Sequence, residues 1–391
     1  MHRFFAPDVT TYAQMLGVFG KHLADAGHDV TVVTGPPSYN SAYVGPAVPR
    51  IESVGGVGIR RLRVPGANTA TGKIIGSALF PAAVLWHILT RRRAYDVISV
   101  TTIPPVVMGL TGLLGRLRSR RTRVVYHCMD LYPEAALSLG LLNDGRLARI
   151  ATRLDRLTVQ NATQVIVLSD EMRETLLERS VSAANIGVCN NFILKDRSEA
   201  AQVVEDIGIE RRWLVFAGNL GRFQGLESLC KAIRILADER DDFEIVFLGA
   251  GRLSGWLESL TGEGLPVRVL PFRPLPEAMA VIAQADGAIV SLSPGVSRAA
   301  FPSKLLMNLE LGRPILGVVE PQSDLARLIK THDLGLSADP KYPDKVAQVL
   351  GQFLDRVSDW DPRQIRNVGH QLFGREDILA KWSRLYGLGE T

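Results

Sequence analysis

The chain has 391 residues, of which 46% are hydrophobic and 22% charged, with a formal net charge of +5. That length allows two domains, each with a core of its own, and the composition is that of a globular protein without repeats or low-complexity tracts. The positive charge is modest and local, and aromatic residues do not interleave with the basic runs, which argues against a nucleic-acid binder.

Apolar runs alternate with helical patterns along the whole chain, the signature of βαβ units and parallel sheets. Phe4-Phe5 predicts the end of a short first strand, and residues 12–26 an amphipathic helix closed by Gly27. Residues 29–34 form a β-branched strand, and 58–64 alternate like an exposed or edge strand.

The stretch 74–89 is strongly apolar but holds Pro81 and His87, and it falls short of the ~20 residues that a membrane span needs. It predicts a buried or half-buried helix. Arg91-Arg92-Arg93 follow it, and Arg116, Arg118, Arg120, Arg121 and Arg123 form a second cluster. Basic residues beside an apolar helix fit peripheral contact with an anionic membrane. The first residues are too short and polar for a signal peptide, so the expected location is cytoplasmic.

Strands are expected at 96–100, 123–127, 164–168 and 186–189, with helices at 134–139 and 145–161. The polar run 195–210 is expected to link two domains. The pattern then restarts with strands at 213–216, 243–248, 267–270, 287–290 and 314–318. The expected architecture is α/β: two tandem doubly wound, Rossmann-like domains at 1–194 and 211–360, then terminal helices at 361–391. In such sheets ligands gather at the carboxyl ends of the strands.

Three loops after strands in the second domain, at 218–225, 249–251 and 301–304, are glycine-rich or polar, and together they suit a phosphorylated ligand. The last of them opens a helix with Pro302 in its first turn, Ser303 and Lys304 beside it, and Gly312 as its stop. In the first domain, His127 ends a strand, with Asp130 and Glu134 close behind. This histidine either bonds to nearby backbone or orients, or exchanges a proton with, a substrate hydroxyl. Asp8 is either a helix cap or a substrate contact.

The cysteines Cys128, Cys189 and Cys230 are isolated and set among apolar residues, neither a disulfide frame nor a metal site. No P-loop, G-x-G-x-x-G turn after a first strand or G-x-S-x-G elbow is present.

The combination of Phe5-Ala6-Pro7-Asp8, residues 27–34, His127-Cys128-Met129-Asp130-Leu131-Tyr132-Pro133-Glu134, residues 216–221, Leu248-Gly249-Ala250-Gly251 and Phe301-Pro302-Ser303-Lys304 resembles the retaining glycosyltransferases of GT-B fold that serve bacterial polysaccharide assembly. The resemblance covers nearly the whole chain. It implies a nucleotide-diphosphate sugar donor, usually uridine diphosphate, and a lipid-linked or saccharide acceptor, with no metal or other cofactor. Gly218, Asn219, Gly221, Arg222, Gly249, Ser303, Lys304 and Asn308 would bind the donor, with Phe272 near the base. His127 and Asp130 would face the transferred sugar, and Asp8 and Glu134 the acceptor.

Two features depart from the family's pattern. Ala299 and Met307 stand where many relatives carry glutamates, with Asn308 or Glu310 as the nearest polar substitutes. Arg222 and Gln224 stand for an Arg and Lys pair. A sugar-nucleotide 2-epimerase and a non-catalytic binding subunit of the same fold are the alternatives.

Overall fold

The structure, a computed structural model, describes residues 1–8, 10–37, 48–65, 70–179, 181–194 and 207–389. Most of the expected linker, 195–206, lies outside the described residues. The chain forms two compact units: one of Met1–Leu137, Leu142–Asn191 and Glu376–Thr391, the other of Ser138–Leu141 and Phe192–Arg375.

Unit 1 begins with α1 (Thr11–Asp25), capped by the Thr10 hydroxyl, which accepts from the Ala13 amide at 3.1 Å. A first sheet holds β1 (Thr31–Thr34), β2 (Ile51–Val54) and β3 (Val57–Arg61) in the order β1-β3-β2. β3 is therefore the central strand, parallel to β1 and antiparallel to β2, and not the edge expected. Its alternation arises because one face alone is covered: Val57, Ile59 and Arg61 are buried while Arg60 is exposed. Residues 1–5 are no strand. The His2 amide donates to the Val33 carbonyl and the Met1 ammonium to the Ser99 carbonyl, so these residues join this sheet to the next.

After α2 (Ala70–Thr90), the second sheet is all parallel: β4 (Val97–Thr101), β5 (Arg123–His127), β6 (Gln164–Val167) and β7 (Ile186–Val188), in sequence order. The crossovers contain α3 (Val107–Leu114), α4 (Glu134–Ser138), α5 (Arg146–Asn161) and α6 (Asp170–Glu178). Glycine spacing seats α3. A Cβ at Gly109 would lie 2.6 Å from Thr158 on α5, and one at Gly112 would lie 2.8 Å from Val100 in β4. The small face turns inward, leaving Leu110 and Leu113 half-buried and Leu114 exposed.

Unit 2 is a six-stranded parallel sheet with β8 (Arg212–Ala217), β9 (Phe243–Leu248), β10 (Val267–Leu270), β11 (Gly287–Ser291), β12 (Ile315–Val318) and β13 (Gly335–Ala338) in the order β10-β9-β8-β11-β12-β13. Its central strands are buried runs of Val, Ile, Leu and Phe because helices cover both faces. The helices are α7 (Leu226–Ala237), α8 (Ser254–Gly262), α9 (Leu275–Gln284), α10 (Lys304–Glu310), α11 (Asp324–Thr331), α12 (Pro343–Arg356) and α13 (Pro362–Phe373). The last helix, α14 (Arg375–Tyr386), lies almost wholly in unit 1, where the rings of Trp382 and Tyr386 meet Phe19 with centroids 5.2 and 4.9 Å away.

Candidate functional site

In unit 2 the strand order reverses between β8 and β11, and the crevice beyond the carboxyl ends of such strands is where doubly wound sheets take ligands. β8 leads into exposed Gly218 and Asn219. The Gly218 amide donates to the Leu248 carbonyl (2.9 Å) and the Leu220 amide to the Ala250 carbonyl (3.1 Å), so the loops after β8 and β9 run side by side. Gly249 is buried at φ +152°, and a Cβ there would stand 1.9 Å from the Gly218 carbonyl oxygen. It therefore lets the two loops touch. The Asn219 amide lies between Gly221 and Gly251, since a Cβ at either would come within 3.0 Å of it.

The next turn, Arg222–Gln224, is clamped from β11. The Ser293 amide donates to the Phe223 carbonyl (2.9 Å), and the Ser293 and Ser291 hydroxyls donate to the Arg222 and Gln224 carbonyls (both 2.6 Å). Glu320, at the end of β12, accepts from the Gly295 amide at 2.7 Å and steadies the loop after β11.

Lys304 reaches this point from α10. The helix has seven residues and starts at Lys304, so Pro302 and Ser303 precede it instead of forming its first turn; Gly312 supplies the expected left-handed stop at φ +65°. The Lys304 ammonium donates to Gln224 Oε1 at 2.5 Å and lies 3.7 Å from the Phe216 ring centroid. A Cβ at Gly218 would be 3.8 Å from its Nζ. No carboxylate pairs with it among the described residues, and desolvation pulls its pKa from 10.5 down to about 7. A half-buried cation lacking counter-charge, beside exposed glycine backbone, is prepared for an anion.

Ser303 and Arg222 are exposed near these loops, and Phe272 is 62% exposed on the segment after β10. Asn308, one turn beyond Lys304, is buried. Neither suggested substitute for the missing glutamates is open to solvent. Glu310 is buried and held by Arg366 (3.1 Å) and His370 (2.7 Å) on α13.

In unit 1 the imidazole of His127 is 0% exposed. Its ring meets Trp382 and Tyr12 edge-on at 4.7 and 5.5 Å, and Nδ1 lies 3.3 Å from the Tyr386 hydroxyl. Burial lowers its pKa to about 3, so the imidazole is neutral near pH 7. The orienting half of its expected role is compatible with one observation: Nε2, like the buried Tyr12 and Thr102 hydroxyls, has no partner among the described residues. The titratable group of this strand end is Asp130, half-buried, with its pKa raised by desolvation to about 6.

Glu134 is engaged within unit 1. It forms a two-pronged ion pair with buried Arg179, whose other side grips Asp155 at 2.5 Å; Asp155 in turn accepts from the Tyr126 hydroxyl at 2.8 Å. Asp8 is buried beside Arg3, and Thr10, not Asp8, caps α1. Sequence reasoning missed Phe216 and Arg179. A phenylalanine inside a strand reads as core, and nothing local to Arg179 signals partners 24 and 45 residues away.

Residues 10–191 match the family described as "Glycosyl transferase 4-like domain", and residues 211–356 match "Glycosyl transferases group 1". The chain is 27% identical over 347 residues to a protein of Escherichia coli (strain K12) named as the colanic acid biosynthesis glycosyl transferase WcaI, covering 84% of each. Among solved structures, a sucrose-phosphate synthase of Thermosynechococcus elongatus superposes with a TM-score of 0.74 at 15% identity, covering 97% of this chain and 93% of that one. Anabaena HepE in complex with UDP-glucose superposes with a TM-score of 0.70 at 14% identity, covering 99% and 98%. At these identities the two structures establish likeness of fold.

Proposed function

The chain belongs to the group 1 glycosyltransferases of GT-B fold that serve polysaccharide biosynthesis, and on that premise we propose that it moves a sugar from a uridine-diphosphate donor, with retention, to a lipid-linked or saccharide acceptor. The carrying observation is the Lys304 ammonium held beside Gly218 without a carboxylate partner among the described residues. Breaking the anomeric bond leaves negative charge on the departing diphosphate. A fixed cation and backbone N–H groups of the 218–221 loop would meet that charge as it develops, a task that asks for no metal. Asn219 and Arg222 would extend the cradle, and Phe272 would stack on the uracil ring. The solved HepE complexes with UDP and UDP-glucose support the choice of donor class.

On the unit 1 side, Asp130 carries the charge that changes near neutrality, and neutral His127 would orient a sugar hydroxyl through Nε2. The test is transfer of radiolabel from a panel of UDP-sugars into a membrane lipid and glycan extract, with the product's anomeric configuration read by NMR. Labelled product of retained configuration supports the reading. UDP binding without transfer from any donor favours the non-catalytic subunit, and absence of UDP binding overturns the donor assignment.

A further inference from the structure

We propose that the helical face of unit 1 formed by α2, α3 and α5 docks on an anionic phospholipid bilayer, with α5 as its main contact. This goes beyond the transfer reaction and stands on separate observations. On α5, Leu147, Ile150, Leu154 and Leu157 are exposed, Leu147 by 71%, and their spacing of three, four and three residues places them in one stripe. Arg146, Arg149, Arg153 and Arg156, each one position earlier, form a second stripe beside it. Ala148, Asp155, Thr158 and Val159 supply the third sector, which is buried. A helix with one face packed, one apolar and open, and one basic has the form of an interfacial helix already anchored to a folded body.

The neighbouring helices extend the apolar face. α3 packs against both α2 and α5, and Trp86 (71%) on α2 and Leu117 (74%) just beyond α3 are among its exposed residues. The Arg118 guanidinium donates to the Arg91 and Arg92 carbonyls, and Arg116 donates to the Asn161 carbonyl, so the three helices bring their carboxyl ends together. Exposed Arg92, Arg93, Arg120 and Arg121 sit at that end.

Charge selects the occupant. In the three helices the sole acidic residue is Asp155, which is buried against Arg179, and just beyond α2 Arg91 reaches Asp29 only at 4.0 Å, so the face is apolar and predominantly cationic. A second copy of the chain would bring arginine against arginine, whereas anionic headgroups over an acyl layer complement both stripes. No helix among the described residues is long and apolar enough to cross a membrane, so the contact is a peripheral one.

The test is co-sedimentation of the full chain with vesicles of phosphatidylcholine alone and of phosphatidylcholine with phosphatidylglycerol. Binding is expected with the anionic vesicles only and should weaken as salt rises. The triple variant Arg146→Gln, Arg149→Gln, Arg153→Gln should lower partitioning about a hundredfold. Replacing exposed Leu147 and Leu154 by Ser should lower it about tenfold or more. Thermal unfolding and UDP titration, unchanged in both variants, show that the fold and the donor site are intact. Equal partitioning of wild type and variants, or failure to bind anionic vesicles, overturns the proposal. So does a dimer in light scattering that the leucine variant dissolves. The vesicles hold neither donor nor acceptor, so a failed transferase assay leaves this result standing.

Discussion

In unit 2 the candidate anion site is mostly backbone, shaped by Gly218 and Gly249 and completed by one ammonium without a carboxylate partner among the described residues; in unit 1 the polar groups around the end of β5 are side chains, most of them occupied. Glu134, Asp155, Tyr126 and Arg179 satisfy one another, and His127 is walled in by aromatic rings. The difference follows from what each would hold. A diphosphate needs amides and positive charge fixed in advance, while a region that orients hydroxyl groups needs neutral, rigid neighbours.

The comparison breaks first at Arg179. Arg179→Met strands buried Asp155, and unit 1 should lose about 3–5 kcal/mol in a denaturant titration while the UDP affinity of unit 2 stays unchanged. A smaller loss with intact cooperativity would mean that Asp155 becomes protonated or hydrated at little cost.

Gly249→Ala tests the backbone half of unit 2. A methyl group 1.9 Å from the Gly218 oxygen, at a φ of +152°, should cost about 2–3 kcal/mol of stability, together with most UDP binding measured by calorimetry.

Lys304→Met separates charge from shape. UDP affinity should fall by about 1.5–3 kcal/mol, the value of a charged hydrogen bond. Stability should move the other way. The folded pKa of about 7 lies below the ordinary 10.5, so Lys304 disfavours the folded state fully below pH 7, and the penalty fades as pH rises from 7 toward 10.5. The variant should therefore gain most over wild type in acid. UDP affinity of the wild type should decline above pH 7, and that slope should be absent in the variant.

The mildest expected change is one of profile. Turnover should rise with pH through about 6 as Asp130 ionises, and Asp130→Asn should flatten that inflection. Because its folded pKa lies above the ordinary 3.8, Asp130 favours the fold when protonated, and this stabilisation is lost as pH climbs from about 4 to 6. The asparagine variant should thus be the more stable protein above pH 6.

Much of the fold was legible because parallel strands announce themselves as apolar β-branched runs between glycines, as at 243–248. Lys304 and the Gly218 loop stood out only in combination, since a glycine at a strand end or a lysine at a helix start is ordinary by itself, whereas three such segments in one domain suit a phosphorylated ligand. Other roles were hidden. His127 and Glu134 look alike in sequence as polar residues near a strand end, yet one is sealed among rings and the other is clamped by an arginine 45 residues away. β3 looked like an edge because alternation reports which faces are covered, not which neighbours are hydrogen-bonded.

The amino-acid order alone determined the class of architecture, the alternation of elements and the placing of glycines where loops must pass closely, since these depend on local periodicity and backbone freedom. It also determined the three-sector pattern of α5, which is a property of one helix. Tertiary structure alone decided which polar groups are spent on one another, which face of α5 stays open, and that Lys304 lies against Phe216 and loses its counter-charge. Those outcomes depend on desolvation and on partners distant in sequence, and a local pattern carries information about neither.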